Sequence, residues 1–256
     1  MIALDGVSCV IGGRRIVDRV SLTVADGEFC ALVGSSGSGK STTLKTINRL
    51  MPVSDGVIRI DGADIVAANV EALRRSIGYV IQSIGLFPHW TVADNIATVP
   101  RLLGWPEDRR RHRVAELLTL LRLDPAAAEK YPHQLSGGQQ QRVGVARALA
   151  ADPAILLMDE PFGALDPITR TALQTELAAI HRRLGKTILF VTHDIDEALR
   201  LADRIAILDA GRLVQVGTPE EILANPASDF VREFVGDPEL RRLALKIARR
   251  NGERKN

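Results

Sequence analysis

Short apolar runs alternate with helical patterns along most of the chain. Four runs have the length and composition of buried strands: 29–33, 154–158, 187–191 and 205–208. Segments with helical spacing of apolar residues follow three of them: 42–50, about 168–184 and about 195–202. In the second of these helices the predicted buried face is Leu173, Leu177, Ile180 and Leu184, and Gly185 ends it. Strands that alternate with helices predict a mostly parallel sheet with right-handed crossovers.

Residues 1–33, which end in the apolar run at 29–33, and residues 57–60 predict an antiparallel layer instead. Their short strands are bounded by paired turn residues: Gly12-Gly13, Asp26-Gly27, Asp55-Gly56 and Asp61-Gly62. Between the last two pairs, residues 57–60 alternate apolar and polar positions, as a β-ribbon does. Residues 77–81 predict a further strand, which ends at Gln82.

Between residues 88 and 151 the pattern becomes helical. Val114, Leu117, Leu118 and Leu121 fall on one helical face, and we expect Asp124-Pro125 to stop that helix. We interpret this region as a lobe inserted into the core. The predicted domain is thus 1–236, with a core at about 1–87 and 152–236, a lobe at about 88–151, and a basic tail at 237–256.

The last part of the chain predicts small helices. Thr218-Pro219-Glu220-Glu221 is a capping box with proline at the first helical position. Residues 239–250 form a basic amphipathic pattern with Leu240, Leu243 and Ile247 on one side. A solvated or partner-packed helix explains this pattern better than a membrane-surface helix, because the apolar face is short and weak.

The stretch from Gly34 to Ser41 fits the pattern G-x-x-x-x-G-K-[ST], between a predicted strand and a predicted helix. Its glycines allow backbone N–H groups to converge on phosphate oxygens, while Lys40 reaches the β- and γ-phosphates and Ser41 coordinates Mg²⁺. A glycine-rich turn alone would not require the Lys-Ser pair or both flanks. The predicted nucleotide-binding residues here are Gly34, Ser35, Ser36, Gly37, Ser38, Gly39, Lys40, Ser41 and Thr42. The predicted fold is therefore α/β, a P-loop NTPase core with a mostly parallel sheet, an antiparallel β edge layer and an inserted α-helical lobe.

Two acidic residues, Asp159 and Glu160, follow the apolar strand at 154–158. A buried strand can hold Asp159 near the water shell of a metal ion, and Glu160 can then polarise an attacking water. This arrangement is common by itself, but together with a P-loop it is typical of nucleotide hydrolysis.

Residues 135–139 read Leu-Ser-Gly-Gly-Gln and precede a helix rich in small and apolar residues. Ser136 is a natural N-cap, and the two glycines expose backbone N–H groups that predict a second anion site. With these motifs in this order, from about residue 2 to 236, the chain resembles the ATPase subunit of ATP-binding cassette transporters, whose signature is L-S-G-G-Q.

The resemblance implies that two subunits bind ATP and Mg²⁺ head to tail, the signature of one meeting the γ-phosphate held by the other. The implied signature contacts are Ser136, Gly137, Gly138 and Gln139. It further implies that Gln82 links metal and water to a membrane partner, that Asp166 crosses the dimer interface, and that His193 contacts the γ-phosphate. Glu160 would be the general base, with Ser41, Gln82 and Asp159 at the metal.

One position departs from the pattern of the family. Members usually have an aromatic residue that stacks on adenine just before the first glycines, where this chain has Ile11, with Val10 beside it. An aliphatic contact lacks the stacking preference of an aromatic ring, so we expect altered base selectivity or affinity but unchanged phosphate chemistry.

Composition narrows the class of protein. The chain has 256 residues, 46% hydrophobic and 25% charged, and its net charge of +2 favours no nucleic-acid partner. Cys9 and Cys30 suit a reducing cytoplasm better than a disulfide scaffold. The apolar runs have the length of strands, so we expect a soluble protein with separate permease chains. Four histidines match no catalytic motif and have a structural interpretation: His89, His112, His133 and His181.

Three segments carry a narrower resemblance, to uptake systems for quaternary-amine osmoprotectants such as glycine betaine, choline or carnitine. They are residues 79–92 (YVIQSIGLFPHWTV), 131–134 (YPHQ) and 139–141 (QQQ). The apolar segment Ile84–Trp90 is expected to dock a permease, although packing within the lobe would also explain it. The implied place is the cytoplasmic face of the inner membrane, with a solute-binding protein as an indirect partner. The alternatives are an amino-acid or other polar-solute importer, and a non-transport cassette protein acting on DNA or ribosomes.

Overall fold

The computed structural model describes residues 1–163, 165–237 and Arg241. The strands are β1 (Ile2–Ile11), β2 (Arg14–Val24), β3 (Phe29–Gly34), β4 (Asp55–Ile60), β5 (Ala63–Asp64), β6 (Ile77–Val80), β7 (Ile155–Asp159), β8 (Thr187–Val191), β9 (Arg204–Asp209) and β10 (Arg212–Gly217). The helices are α1 (Lys40–Ile47), α2 (Val70–Ser76), α3 (Val92–Ile96), α4 (Thr98–Leu102), α5 (Glu107–Leu120), α6 (Gly137–Leu149), α7 (Pro167–Leu184), α8 (Ile195–Leu201), α9 (Pro219–Ala224) and α10 (Asp229–Val235). Apart from Asp237 and Arg241, the predicted basic tail lies outside the described residues.

The structure divides into two compact units. The first unit comprises Met1–Ala67 and the chain from Leu189 onward, and the second comprises Ala68–Ile188. The chain passes from the second unit to the first within β8. The predicted limits of the core, the lobe and the tail stay predictions.

The first unit contains an antiparallel sheet in the order β2-β1-β4-β5. β1 and β2 form a hairpin in which Ile2 pairs with Val24 and Ile11 with Arg14. Gly12 and Gly13 form its turn with φ of 55° and 76°, a left-handed conformation that glycine adopts without steric cost. The predicted antiparallel layer is therefore confirmed, with longer strands than the turn residues alone indicated.

The first unit also contains parallel pairing. β3, buried along its whole length, pairs in parallel with β9, and β10 pairs antiparallel with β9. Phe29 on β3 packs edge-on against Phe190 on β8, with ring centroids 5.2 Å apart. Because its strand is buried on both faces, the loop after β3 starts from a rigid support.

The second unit pairs β6 in parallel with β7, with Ile77 opposite Ile155 and Val80 opposite Met158. Only helical elements and turns lie between these two strands, as the sequence predicted. Gly78 allows the close packing of α6, because a Cβ atom there would lie 2.5 Å from the carbonyl oxygen of Ala148. These pairings confirm the predicted α/β fold.

Some predicted element limits were wrong. α5 ends at Leu120, and Asp124-Pro125 does not stop it but begins a 3₁₀ turn, in which the Asp124 carboxylate accepts from the Ala126 N–H at 2.9 Å. α1 begins at Lys40 and ends at Ile47, because Arg49 adopts a left-handed φ of 55°. Leu184 is only half-buried, whereas the other three residues of the predicted α7 face are buried. The sequence prediction did not include α2, β10 and α10.

None of the helices in the described parts of the chain is both long enough and apolar enough to cross a membrane.

Candidate functional site

The P-loop joins β3 to α1 in the first unit. Its glycines Gly34, Gly37 and Gly39 have φ of 151°, 76° and 95°, a backbone conformation that residues with a Cβ atom rarely adopt. The Lys40 ammonium turns back over the loop and donates to the carbonyl oxygens of Gly34 at 2.9 Å and Ser35 at 2.7 Å. Lys40 is 5% exposed, so its charge is concentrated inside the loop. A loop that surrounds a buried cation at a helix N-terminus can hold phosphate.

Gly34 offers a test of this backbone path. A Cβ atom on Gly34 would lie 2.1 Å from the carbonyl oxygen of Leu208 on β9, and 2.8 Å from the Ser38 hydroxyl. We expect Gly34→Ala to lower the free energy of unfolding by about 3 kcal/mol, since the clash adds to backbone strain. Urea unfolding followed by circular dichroism measures this.

The matched control is Gly37→Ala in the same loop. Gly37 also has a positive φ, but nothing lies within 4 Å of its Cβ position. We therefore expect Gly37→Ala to lower the free energy of unfolding by only about 1 kcal/mol, from backbone strain. Equal losses in the two variants would contradict the argument from close packing.

The other nucleotide-binding candidate in the first unit is Ile11. It lies at the tip of the β1–β2 hairpin and is 41% exposed, and the neighbouring Val10 is 37% exposed. The hairpin continues against the P-loop, because the carbonyl oxygen of Ile16 lies 2.7 Å from the Cβ position of Gly39. β1 and β2 contain no aromatic residue. The surface that the hairpin offers beside the phosphate loop is thus aliphatic.

His193 is exposed on the turn between β8 and α8. The preceding Thr192 donates its N–H to the carbonyl oxygen of Leu32 on β3, at 3.2 Å. Its hydroxyl donates to the buried carboxylate of Glu197 at 2.6 Å and accepts from the Asp194 N–H at 3.0 Å. The turn carrying His193 is therefore tied to the strand that leads into the P-loop.

In the second unit, the parallel register explains how two predicted residues meet. Val80 is opposite Met158, so Gln82 and Glu160 each lie two residues beyond paired positions at the carboxyl ends of β6 and β7. The Gln82 amide nitrogen donates to the Glu160 carboxylate at 3.0 Å. Glu160 has φ of 46°, a strained conformation for a residue other than glycine and one that clusters at functional sites.

Asp159 is the last residue of β7 and is 1% exposed. Burial, with the negative charge of Asp159, raises the pKa of Tyr79. The Tyr79 hydroxyl is buried and finds no hydrogen-bond partner in the part of the chain that the structure describes. The Asp159 carboxylate is thus buried at the end of β7, and its role at a metal ion stays a prediction.

The signature residues form the N-terminus of α6. Ser136 accepts from the Gln139 N–H at 3.3 Å, and the Gln139 side chain accepts from the Ser136 N–H at 3.0 Å, which makes a complete capping box. Ser136 itself is exposed, so its hydroxyl can also meet a ligand. Gly138 faces α7, where a Cβ atom would lie 2.4 Å from the Thr169 methyl group.

Asp166 has a structural role, as the N-cap of α7, that the sequence analysis did not predict. It caps α7 by accepting from the N–H groups of Ile168 at 3.1 Å and Thr169 at 3.0 Å. Hydrogen bonds from the Thr169 side chain and these N–H groups hold the pKa of Asp166 below its ordinary value. Thr169 thus connects Asp166 and the signature within this unit.

The candidate residues divide between the units. Ile11, the P-loop and His193 belong to the first; Gln82, Asp159, Glu160, the signature residues and Asp166 belong to the second. The described residues contain no group of three or more His, Cys, Asp or Glu side chains that could hold a metal ion. The predicted magnesium ligands, Ser41, Gln82 and Asp159, supply hydroxyl, amide and carboxylate oxygens, which suit Mg²⁺. Since Gln82 uses its nitrogen for Glu160, its amide oxygen remains the possible ligand.

The segment after Gln82 borders a groove of about 320 Å³ in the second unit. Its apolar lining includes Ile81, Phe87 and Val99, and the charged residues among the described lining are arginines: Arg74, Arg75 and Arg147. The Asn95 side chain donates to the carbonyl oxygens of Phe87 at 3.1 Å, Trp90 at 3.3 Å and Thr91 at 2.9 Å. The loop is therefore tied to α3 by a buried amide. Phe87 is 39% exposed and packs against Trp90.

Sequence reasoning missed several residues that position the site. Asn95, Glu197 and Arg147 each contact a loop that carries a predicted residue. Buried or half-buried polar side chains in helical patterns are the available signal, because a polar group removed from water needs a partner. Which loop they contact depends on long-range packing that no local pattern contains.

Comparison with known proteins gives a consistent result. The family model described as ABC transporter matches residues 17–163. The chain is 58% identical over 241 residues to the glycine betaine/carnitine/choline transport ATP-binding protein OpuCA of Bacillus subtilis, covering 94% of this chain and 63% of that protein. It is 59% identical over 240 residues to the glycine betaine uptake system ATP-binding protein YehX of Escherichia coli, covering 94% and 78%. The chain thus spans less than two thirds of the Bacillus subtilis protein.

A solved structure shares the fold. It is the dimeric, post-hydrolysis state of an ATP-binding cassette bound to ADP and Pi, with a TM-score of 0.76 and 36% identity. The match covers 86% of this chain and 99% of that one.

Proposed function

The chain belongs to the ABC transporter family, and on this premise we propose that it is the ATP-hydrolysing subunit of an importer for quaternary-amine osmoprotectants. The observation that carries the proposal is the contact of Gln82 with Glu160 at the paired ends of β6 and β7. The solute class rests on relatives of 54–59% identity that are named for glycine betaine, choline, carnitine or osmoprotectant transport.

The residues of the P-loop bind the nucleotide. Backbone N–H groups and the start of α1 face the phosphates, and Lys40 exchanges its loop carbonyls for phosphate oxygens. Ser41, Asp159 and the Gln82 amide oxygen are the ligands we propose for Mg²⁺, which when bound neutralises phosphate charge. The aliphatic tip at Ile11 contacts the base without ring stacking.

Glu160 acts as the general base for the attacking water. Its carboxylate accepts from the Gln82 amide, which orients it, and its backbone has a strained φ of 46°. His193 stabilises the γ-phosphate from its exposed turn, which Thr192 and Glu197 hold in place. In phosphoryl transfer, most of the rate acceleration comes from positioning the reactants and from stabilising the charge on the transferred phosphoryl group.

Hydrolysis requires a second copy of the chain. The capping box uses the N–H groups of Ser136 and Gln139, so the anion site consists of the exposed Ser136 hydroxyl and the N–H groups of the two glycines between them. We propose that this site meets the γ-phosphate bound to the other copy, and that Asp166 lies at the interface. The dimeric cassette of 36% identity supports this arrangement.

The permease docks in the groove beside Phe87. Its apolar lining suits a short amphipathic segment, and its arginines favour a partner that presents a carboxylate. Docking there places the chain on the cytoplasmic face of the inner membrane. A solute-binding protein then acts only through the permease.

Reconstitution tests the proposal. Proteoliposomes with the chain and permease subunits from the same organism should take up labelled glycine betaine, choline or carnitine when ATP is supplied, and unlabelled quaternary amines should compete. Preferential uptake of an amino acid would overturn the proposed solute class but leave the proposed role in ATP-driven transport standing. If the permease subunits do not stimulate ATP hydrolysis by the chain, a transport function is contradicted. Glu160→Gln is the matched inactive control.

A further inference from the structure

Arg147 makes an unusual pair of contacts for a charged residue. Its guanidinium donates to the carbonyl oxygens of Ile84 at 2.9 Å and Gly85 at 2.6 Å. No carboxylate lies within ion-pair distance of it among the described residues, and burial lowers its pKa. Arg147 is half-buried, and a partly desolvated guanidinium that binds only backbone is costly, so we expect this contact to have a functional role.

The two carbonyls belong to a turn that needs support. Ile84 and Gly85 have φ of 60° and 56°, and positive φ is rare for a β-branched residue such as Ile84. The turn begins with a hydrogen bond from the Ile84 N–H to the Ile81 carbonyl at 3.2 Å. Arg147 therefore fixes both carbonyls of a conformation that would otherwise relax.

This turn follows Gln82 directly. Between Ile81 and Ile84 the chain has only Gln82 and Ser83, and the Gln82 side chain contacts Glu160 at 3.0 Å. On its other side, Arg147 belongs to α6, the helix that the signature begins. One side chain thus connects the signature helix to the segment that orients Glu160.

We propose that Arg147 is a positioning residue for ATP hydrolysis, which holds the Ile84–Gly85 turn on α6 and so keeps Gln82 against Glu160. The inference rests on the proposed function. Because Arg147 also lines the groove beside Phe87, the same contact connects the docking groove to Gln82.

The experiment uses the full chain without permease and measures hydrolysis over a range of ATP concentrations. Arg147→Met removes both donors, and we expect kcat to fall at least tenfold with KM within twofold of wild type, since the P-loop is untouched. Arg147→Lys keeps the charge but has no planar fork to bridge two carbonyls. We expect the kcat of Arg147→Lys to lie between those of wild type and Arg147→Met, two- to fivefold below wild type. This variant therefore tests the proposal even if Arg147→Met does not fold.

Arg113 supplies a matched control. It also donates to two consecutive carbonyls near the end of α6, Leu149 at 2.8 Å and Ala150 at 3.2 Å, and it pairs with Glu116 as well. Arg113→Met should lower Tm at least as much as Arg147→Met, yet leave kcat within twofold of wild type.

Two outcomes are distinguishable. If wild type hydrolyses ATP but the methionine variants at 147 and 113 have equal kcat, or Arg147→Lys equals wild type, the positioning role is overturned and the proposed function stands. If wild type binds ATP with Mg²⁺ and never hydrolyses it, the proposed function fails and the inference with it.

Discussion

Glu160→Gln is expected to lower kcat for ATP hydrolysis about 10³-fold, or about 4 kcal/mol, with little change in KM. An amide cannot take the proton of the attacking water, which removes the general base. The side chain keeps its size, and its amide oxygen can still accept from Gln82, which donates to Glu160 at 3.0 Å. Rapid-quench measurement of one turnover checks the value.

The same variant should collect in the ATP-bound state. Molecular mass measured in solution by light scattering should change from monomer to dimer when ATP and Mg²⁺ are added, because the phosphate contacts are intact. Glu116→Gln, an exposed carboxylate on α5, is the control and should keep wild-type turnover. A loss of less than tenfold in kcat for Glu160→Gln would rule out a general-base role.

Lys40→Met is expected to weaken ATP binding by about 10³-fold. Two charge-assisted hydrogen bonds to phosphate at about 2 kcal/mol each sum to about 4 kcal/mol. The lysine is buried with its ammonium on the Gly34 and Ser35 carbonyls, so it is already aimed into the phosphate loop. Isothermal titration of the isolated chain measures the loss.

A comparison of ATP with AMP makes the test of Lys40 specific for the β- and γ-phosphates. The variant should lose most of its preference for ATP over AMP, since Lys40 acts on the β- and γ-phosphates. Lys45→Met in the last turn of the same helix is the control and should bind ATP as wild type does. Unchanged ATP affinity in Lys40→Met would show that the ammonium stays on the loop carbonyls when nucleotide binds.

The strands and the phosphate loop could be predicted from local pattern alone. The apolar run at 29–33 became β3 nearly residue for residue, because a strand buried on both faces has no polar positions. Ser136 and Thr218 were recognised as caps, since a capping box needs only four neighbouring residues.

Features that depend on distant partners could not be predicted in this way. The contact of Gln82 with Glu160 depends on the register of β6 on β7, two strands separated by more than 70 residues. Arg147 looked like any polar residue near the end of a helix, and its carbonyl partners lie about 60 residues earlier.

The register of β6 on β7 also limits how this chain can vary in evolution. Side chains alternate faces along a strand, so losing or gaining one codon between Ile77 and Gln82 would turn Gln82 away from Glu160. Except at Gly78, where a Cβ atom would meet the Ala148 carbonyl oxygen, point substitutions of similar size in these two strands can be absorbed by repacking. Insertions and deletions there cannot, so we expect length polymorphism in this gene to be confined to surface turns such as Asp61-Gly62.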